Sequence, residues 1–307
     1  MNETKIPKNF EVKFRELLGK EYKDLISVVF KKPRKSIRIN TIKITVNSLV
    51  KKLEKQGAKL KRIPWFDKGF FVTNDFDLPR TIEYFLGYYY IQEASSMVPP
   101  LVLDPKKDDV ILDMCAAPGS KTTQMAQMMG NEGLIVALDD SLKRLQALRV
   151  NTQKLGIKNT VVILIDARKF WKKDVKFGKI LLDVPCSGSG TIISSYSVFG
   201  IWSPFLVKKL SGLQKQLIRS AYQCLEKDGI LVYSTCSIDP EENEEVIDYA
   251  IKRFGMEAEE IRIKGLKYRE GLTKWLDKKV DSQLKNAIRF YPHDNFTEGF
   301  FICKLRR

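Results

Sequence analysis

Histidine is nearly missing from this chain: 307 residues contain one, His293. A multi-histidine metal centre is excluded, no metal is expected, and a Ser-His-Asp hydrolase has a single candidate base. Cysteine is scarce, with five residues at 115, 186, 224, 236 and 303 and no CxxC pair. That excludes a zinc ribbon and argues against a disulfide framework, so a reducing, cytoplasmic setting is expected. No apolar run approaches the ~20 residues of a membrane span, so no membrane partner is expected. MNETKIPKNF (1–10) lacks the apolar run of a secretory signal.

Acid is short of base: 53 Lys+Arg against 37 Asp+Glu leave a net charge of +16. The excess is uneven. Residues 1–80 hold 20 basic and 9 acidic residues, a difference of +11; residues 81–307 hold the remaining 33 and 28, or +5. Ion-pair networks need matching acids, and the first segment lacks them. Clustered positive charge attracts a polyanion, so an RNA partner is the first expectation from charge.

Residues 8–31 read as two short helices, KSIRIN (35–40) as a strand, Val46–Gln56 as a helix and Gly69–Thr73 as a strand. This predicts a small, basic α+β domain over 1–80. Ala94–Leu103 reads as a helix broken at Pro99-Pro100. From Asp109 the texture changes. The apolar runs VILDMC (110–115), LIVALD (134–139), VVILID (161–166), KILLDV (179–184) and ILVYST (230–235) alternate with helical stretches. Continuous apolar strands separated by helices predict a doubly wound, Rossmann-like α/β sheet over 81–307. Ligands bind such sheets at the strands' carboxyl ends.

DMCAAPGSKTT (113–123) follows the first strand and opens a helix. It matches neither the dinucleotide G-x-G-x-x-G nor the phosphate loop. Its small residues let a ligand approach the backbone, and the next helix's N–H groups can take a carboxylate. Asp139 ends the second strand, where an acid can bind ribose hydroxyls. Asp166 ends the third and can flank an adenine amino group. A carboxylate, a ribose and an adenine without pyrophosphate describe S-adenosylmethionine. The plainer reading is a tight turn with helix-capping aspartates; three in order on successive strands weaken it. Cys186, in DVPCSGSGT (183–191), and Cys236, in STCS (234–237), lie in turns at the same sheet edge. Such turns can stabilise a thiolate. Cys224 and Cys303 read as core residues, and Cys115 as a loop residue packed against the cofactor.

DMCAAPGSKTT, DVPCSGSG and YSTCS, in this order, resemble the NOP/Sun family of RNA cytosine-5 methyltransferases. RINTIK (38–43), YYIQEASSMVPPLVL (89–103), DPEENEEVI (239–247) and RFYPHDNFTEGFFICKL (289–305) extend the resemblance over roughly 36–307. It is similar to the short archaeal-type tRNA branch, with no appended RNA-binding domain. The resemblance implies methyl transfer from S-adenosylmethionine to C5 of an RNA cytosine, with tRNA as substrate, rRNA as the alternative and a monomer as the default. Residues alone leave open which cysteine attacks, because Pro185-Cys186 also resembles the nucleophile of DNA cytosine-5 methyltransferases. The family resemblance gives attack to Cys236, proton removal and product release to Cys186, and base holding to Asp183. It places Cys115, Ala116, Ala117, Pro118, Gly119, Ser120, Lys121, Asp139, Arg144, Asp166 and Asp183 at the cofactor. Arg38, Asn40 and Lys43 are expected at RNA or at the active-site wall. IISSYSVFGIWSP (192–204) lacks the basic residue many relatives carry, which moves expected phosphate contacts onto 1–80. Glu241–Glu245 reads as acids at a helix N-terminus. The rivals are an RNA-binding assembly factor without turnover and a DNA methyltransferase.

Overall fold

The computed structural model describes residues 6–307. Helices α1 (Lys8–Leu18) and α2 (Tyr22–Val29) come first, followed by β1 (Lys35–Ile39), α3 (Val46–Lys55), β2 (Leu60–Ile63), β3 (Phe66–Val72), α4 (Ile82–Phe85) and β4 (Tyr89–Ile91). Strands β1 to β4 form one sheet in the order β2-β3-β1-β4, with β4 antiparallel to β1. The expected boundary at residue 80 therefore cuts a sheet: Ile37, Arg38 and Ile39 pair with Ile91, Tyr90 and Tyr89. The small unit closes only after β4.

Nor do its helices belong to it. Phe10, Phe14 and Tyr22 pack with Ile192, Phe199, Trp202 and Tyr291, far along the chain. The edge of the Phe10 ring meets Phe199 and Trp202 at 5.1 and 5.0 Å between centroids. Helices α1 and α2 are thus a cover on the larger unit.

That unit contains α5 (Val98–Leu103), β5 (Val110–Asp113), α6 (Ser120–Met128), β6 (Leu134–Asp139), α7 (Leu142–Leu155), β7 (Thr160–Leu164), β8 (Phe177–Asp183), α8 (Val198–Ile201), α9 (Pro204–Cys224), β9 (Leu225–Thr235) and α10 (Glu244–Phe254). Strands β10 (Glu257–Glu259), β11 (Arg269–Glu270), a small β12–β13 hairpin (Lys274–Trp275, Lys278–Lys279), β14 (Ile288–Phe290) and β15 (Phe300–Arg306) follow. The large sheet runs β11-β14-β15-β9-β8-β5-β6-β7. Strands β5 to β9 are mutually parallel, as the apolar runs predict; β15 lies antiparallel to β9. Pro99 and Pro100 fill the first turn of α5, where a missing N–H costs nothing, rather than breaking a helix.

The caps follow ordinary rules. The Ser141 hydroxyl accepts from the Arg144 N–H, and Gly156 ends α7 in the left-handed region, φ +74°. Leu112, Ile180, Leu182, Leu231 and Tyr233 fill one side of the sheet and Ile111, Ile135, Leu181 and Val232 the other. With both faces covered, polar chemistry is confined to the strand ends. No helix among the described residues is long and apolar enough to cross a membrane.

Candidate active site

Two clefts open at the carboxyl ends of β5, β6, β8 and β9. The first, about 280 Å³, is lined by Cys115, Ala117, Asp139, Asp140, Arg144, Asp166, Arg168 and Pro185, among others. The second, about 260 Å³, is lined by Tyr90, Gln92, Glu93, Ser120, Lys121, Cys236, Glu298 and Phe300, among others. Asp183 and Val184 line both. The parallel register causes this junction: Asp183, the last residue of β8, pairs with Ser234 on β9. The Ser234 hydroxyl donates to one Asp183 oxygen at 2.6 Å, and Lys121 Nζ donates to the other at 2.6 Å.

In the first cleft, Asp139 accepts from the backbone N–H of Ala117 and Ser141, at 3.3 and 3.0 Å, and pairs with Arg144 at 3.3 Å. It straps the 115–119 loop to the start of α7. Gly119 has φ +104°, and a Cβ there would meet Leu148 at 2.5 Å, so the turn needs glycine. Pro118 is exposed on that loop, whereas Ala116 and Ala117 are buried. Asp166 caps the following turn through the Arg168 N–H and pairs with that guanidinium at 2.7 Å. The hydrogen bond from Arg168 holds the Asp166 carboxyl below its ordinary range. For Asp166 the capping reading is therefore real, although the residue also faces the cleft. Asp139, Asp166 and Asp183, beside small Ala117, suit a ligand offering hydroxyl and amino donors and a positive centre.

In the second cleft Lys121 is buried. Burial works against its charge, but the carboxylate of Asp183 outweighs that penalty, and its pKa rises. Its ammonium lies 5.3 Å from the Phe300 ring centroid. The sulfurs of Cys186 and Cys236 are 3.1 Å apart, although 50 residues separate them. The hydrogen bond with Cys236, then burial, pushes the Cys186 thiol well up. Burial raises Cys115 as well, and Cys224 to about 11; Cys224 and Cys303 lie fully inside the core.

Of the three residues expected at RNA or at the active-site wall, Arg38 stands behind the wall, bonded to Gln92 and Ser120 of the second cleft, while Lys43 stays exposed. Arg38 is 1% exposed. It donates to Gln92 Oε1 at 2.8 Å and Thr123 Oγ1 at 2.7 Å, and also to Gln127, tying β1 to α6. With no carboxylate beside it, burial pulls its pKa down to about 9. Asn40, also buried, donates to the carbonyls of Gly87 and Leu155, and Lys43 to those of Leu86 and Lys154. RINTIK therefore staples the small sheet to α6 and α7; Arg38 and Asn40 have no surface left for a phosphate.

Several polar residues escaped the sequence reading. Asp113 is buried under the loop, accepts from the Thr122 hydroxyl at 2.7 Å and is raised to about 7 by burial. Glu298 is raised to about 7 by burial and by the adjacent charge of Glu93. TEGFF (297–301) carried a resemblance, but nothing in it told that Glu298 and Phe300 face a cleft.

Residues 100–306 match the family described as 16S rRNA methyltransferase RsmB/F, and residues 6–94 match the N-terminal domain of 16S rRNA methyltransferase RsmF. The chain belongs to the RsmB/F, or NOP/Sun, family of RNA cytosine-5 methyltransferases. Within that family it is 43% identical over 281 residues to a tRNA (cytosine(49)-C(5))-methyltransferase of Pyrococcus abyssi, covering 91% of this chain and 90% of that one. It is 36% identical over 313 residues to ribosomal RNA small subunit methyltransferase F of Vibrio parahaemolyticus, covering 98% of this chain but 63% of that protein's length. A methyltransferase homolog from Pyrococcus horikoshii superposes with a TM-score of 0.90 at 39% identity, covering 99% of this chain and 96% of that one. NSun6 from Pyrococcus horikoshii, solved with SFG, superposes at 0.87 and 28% identity, covering 98% of each chain. The RsmB/F matches divide between residues 94 and 100, after β4, in agreement with the sheet rather than with a boundary at 80.

Proposed function

We propose that this enzyme methylates C5 of cytosine in tRNA through a covalent bond from Cys236 to C6 of the base, with S-adenosylmethionine as the methyl donor. The observation that carries the reading is the pair of sulfurs 3.1 Å apart beside the residue that joins both clefts. The first cleft fits the donor: Asp139 and Asp166 suit ribose and adenine, and Ala117 leaves room at the backbone. SFG, an analogue of S-adenosylmethionine, is present in one similar structure. When bound, the donor supplies an electrophilic methyl group.

C5 of cytosine is a poor nucleophile. The Cys236 thiolate adds to C6, its electron pair forming the S–C6 bond, and C5 gains enamine character. Asp183, braced by Lys121 and Ser234, accepts from the N4 amino group and so holds the N3/N4 edge, and it stabilises a proton taken up at N3 as the thiolate adds. The C5–CH₃ bond would replace the donor's S–CH₃ bond, whose electron pair stays on the donor sulfur, and it leaves C5 with a proton to lose. When that proton departs to a base, the C5–H electrons restore the C5=C6 bond and the S–C6 bond breaks, returning the Cys236 thiolate. Cys186, beside that sulfur, serves the release step. The target base must leave any stack to enter the second cleft.

The substrate reading rests on the Pyrococcus abyssi enzyme, matched over 90% of its length; rRNA is the second reading, because the ribosomal relatives match too. Methyl transfer from radiolabelled S-adenosylmethionine to tRNA, rRNA and duplex DNA separates the substrates, with tRNA expected to be labelled. Cys236→Ala should abolish transfer. Cys186→Ala should leave RNA joined to protein on a denaturing gel. Reversed phenotypes would exchange the two roles.

A further inference from the structure

The acidic run after Thr235-Cys236-Ser237 does not merely begin a helix. Helix α10 starts at Glu244, and Glu242 precedes it, fully buried. Its side chain turns back under both cysteines. One oxygen accepts from the Ser187 N–H at 3.0 Å and from Gln214 Nε2 at 2.9 Å. The other accepts from the Ser187 and Ser237 hydroxyls, at 2.5 and 2.7 Å. Ser187 directly follows Cys186, and Ser237 directly follows Cys236. Gln214, from α9, also donates to the carbonyl of Pro185, the residue before Cys186. One carboxylate thus grips the chain just beyond each sulfur, and through Gln214 it is linked to the residue before Cys186.

The grip is specific to a carboxylate. All four contacts bring N–H or O–H groups to Glu242, which accepts all of them only when ionised, so the grip is complete above the value of about 7 to which burial raises this carboxyl. Stability alone is a weak motive for this placement, because burying the charge is costly. The second nearby acid, Asp239, lies farther from the Ser187 and Ser237 hydroxyls, at 3.3 and 3.2 Å, and is held by Lys13 of α1 at 2.5 Å and Trp202 Nε1 at 3.1 Å. Glu242 has no cation of its own among the described residues; its partners are the two turns and Gln214 of α9.

We propose that Glu242 is a positioning residue that fixes the Cys186 turn against the Cys236 turn, so that Cys186 stands ready to undo the bond Cys236 makes with the base. This rests on the assignment of attack to Cys236 and release to Cys186. Loosening the clamp shifts Cys186, whose turn gives two of the four contacts and is also tied through Gln214, more than Cys236, which is anchored at the end of β9. The Cys236–RNA bond then forms but is slow to break.

The test compares wild type, Glu242→Gln, Glu242→Asp and Cys186→Ala on the RNA transcript that the wild type methylates, with S-adenosylmethionine present. Two quantities are read: the fraction of enzyme covalently joined to RNA on a denaturing gel, and kcat and KM for RNA. Glu242→Gln sets an NH₂ against donors. It should accumulate the adduct and slow turnover by about 100-fold, the cost typical of an ångström-scale misplacement, with KM for RNA unchanged. Glu242→Asp should restore part of the release rate. A merely structural role predicts activity lost in proportion to folded protein, with no adduct. Adduct in Cys186→Ala but none in either folded Glu242 variant would overturn the clamp. Absence of adduct in Cys186→Ala would instead overturn the division of labour between the sulfurs, and the clamp with it. If Glu242→Gln does not fold, Glu242→Asp and Ser237→Ala carry the same comparison.

Discussion

The chain uses positive charge in two opposite ways. On the small N-terminal unit, Lys51, Lys52, Lys55, Lys59 and Lys61 stand exposed, without salt-bridge partners among the described residues. At the edge of the large sheet, Lys121 and Arg289 are buried, each against one carboxylate: Asp183 at 2.6 Å and Glu244 at 2.6 Å. Exposed lysines retain hydration and act together as a field, so they attract a polyanion without fixing any atom. A buried cation has exchanged water for one partner and so fixes that partner's position. Counting charges finds the first kind; only packing reveals the second.

The largest effect is expected at Asp183, the partner of a buried cation. Asp183→Asn should lower kcat by about 10²–10³-fold, roughly 2.7–4 kcal/mol, as when a single preorganised polar group facing a developing charge is removed. RNA binding measured at equilibrium should scarcely move. A drop in affinity without a drop in kcat would place Asp183 with the exposed charges instead.

Arg38 is the sharper case, since it sits on the basic unit but is buried like the second group. Arg38→Ala should cost about 3 kcal/mol of folding stability, because Gln92, Gln127 and Thr123 lose a charged donor. Denaturant unfolding measures this. Weaker RNA binding at unchanged stability would return Arg38 to the RNA interface.

The exposed group predicts a smaller, salt-dependent effect. Replacing Lys51, Lys52 and Lys55 together with Ala should reduce the slope of log affinity against log salt by roughly 0.7–0.9 for each phosphate no longer neutralised. Folding should stay unchanged within about 0.5 kcal/mol. An unaltered slope would mean that RNA follows another face, such as the partly exposed Phe30–Tyr196 stack beside Lys31 and Lys32.

The mildest test is pH. Burial raises Asp113 to about 7, against an ordinary value of roughly 4. Between those values the native state keeps a proton that the unfolded chain has released. Stability should therefore fall as pH rises from ~4 to about 7 and level off above. Glu242 and Glu298, both held up to about 7, add to the same limb. Asp113→Asn should make that limb shallower without removing it; an unchanged pH profile of unfolding would show that Asp113 ionises freely.

Periodicity made the parallel strands legible, because a strand covered on both faces must be apolar along its buried run, as Ile111–Leu112 and Ile180–Leu182 are. The antiparallel flank, β14 and β15, is not legible as strands: RFYPHDNFTEGFFICKL mixes polar and apolar residues around a turn. The loop after β5 and the two cysteine turns stood out because small residues and a strand end mark them locally. Arg38 misled because an arginine in a basic segment looks the same on paper whether exposed or buried. Glu242 misled because acids near a helix start already have an ordinary explanation.

By itself the sequence determined the α/β order, the strand ends that carry polar groups, the surplus of positive charge and the family. Those properties depend on composition, spacing and neighbours along the chain. Tertiary structure alone decided that Cys186 and Cys236 meet across 50 residues, that Asp183 joins two clefts, that α1 and α2 cover the larger unit, and that one carboxylate grips both cysteine turns. The physical reason is that each depends on what an element is buried against, and burial, not residue type, decides whether a charge acts as a field or as a fixed contact.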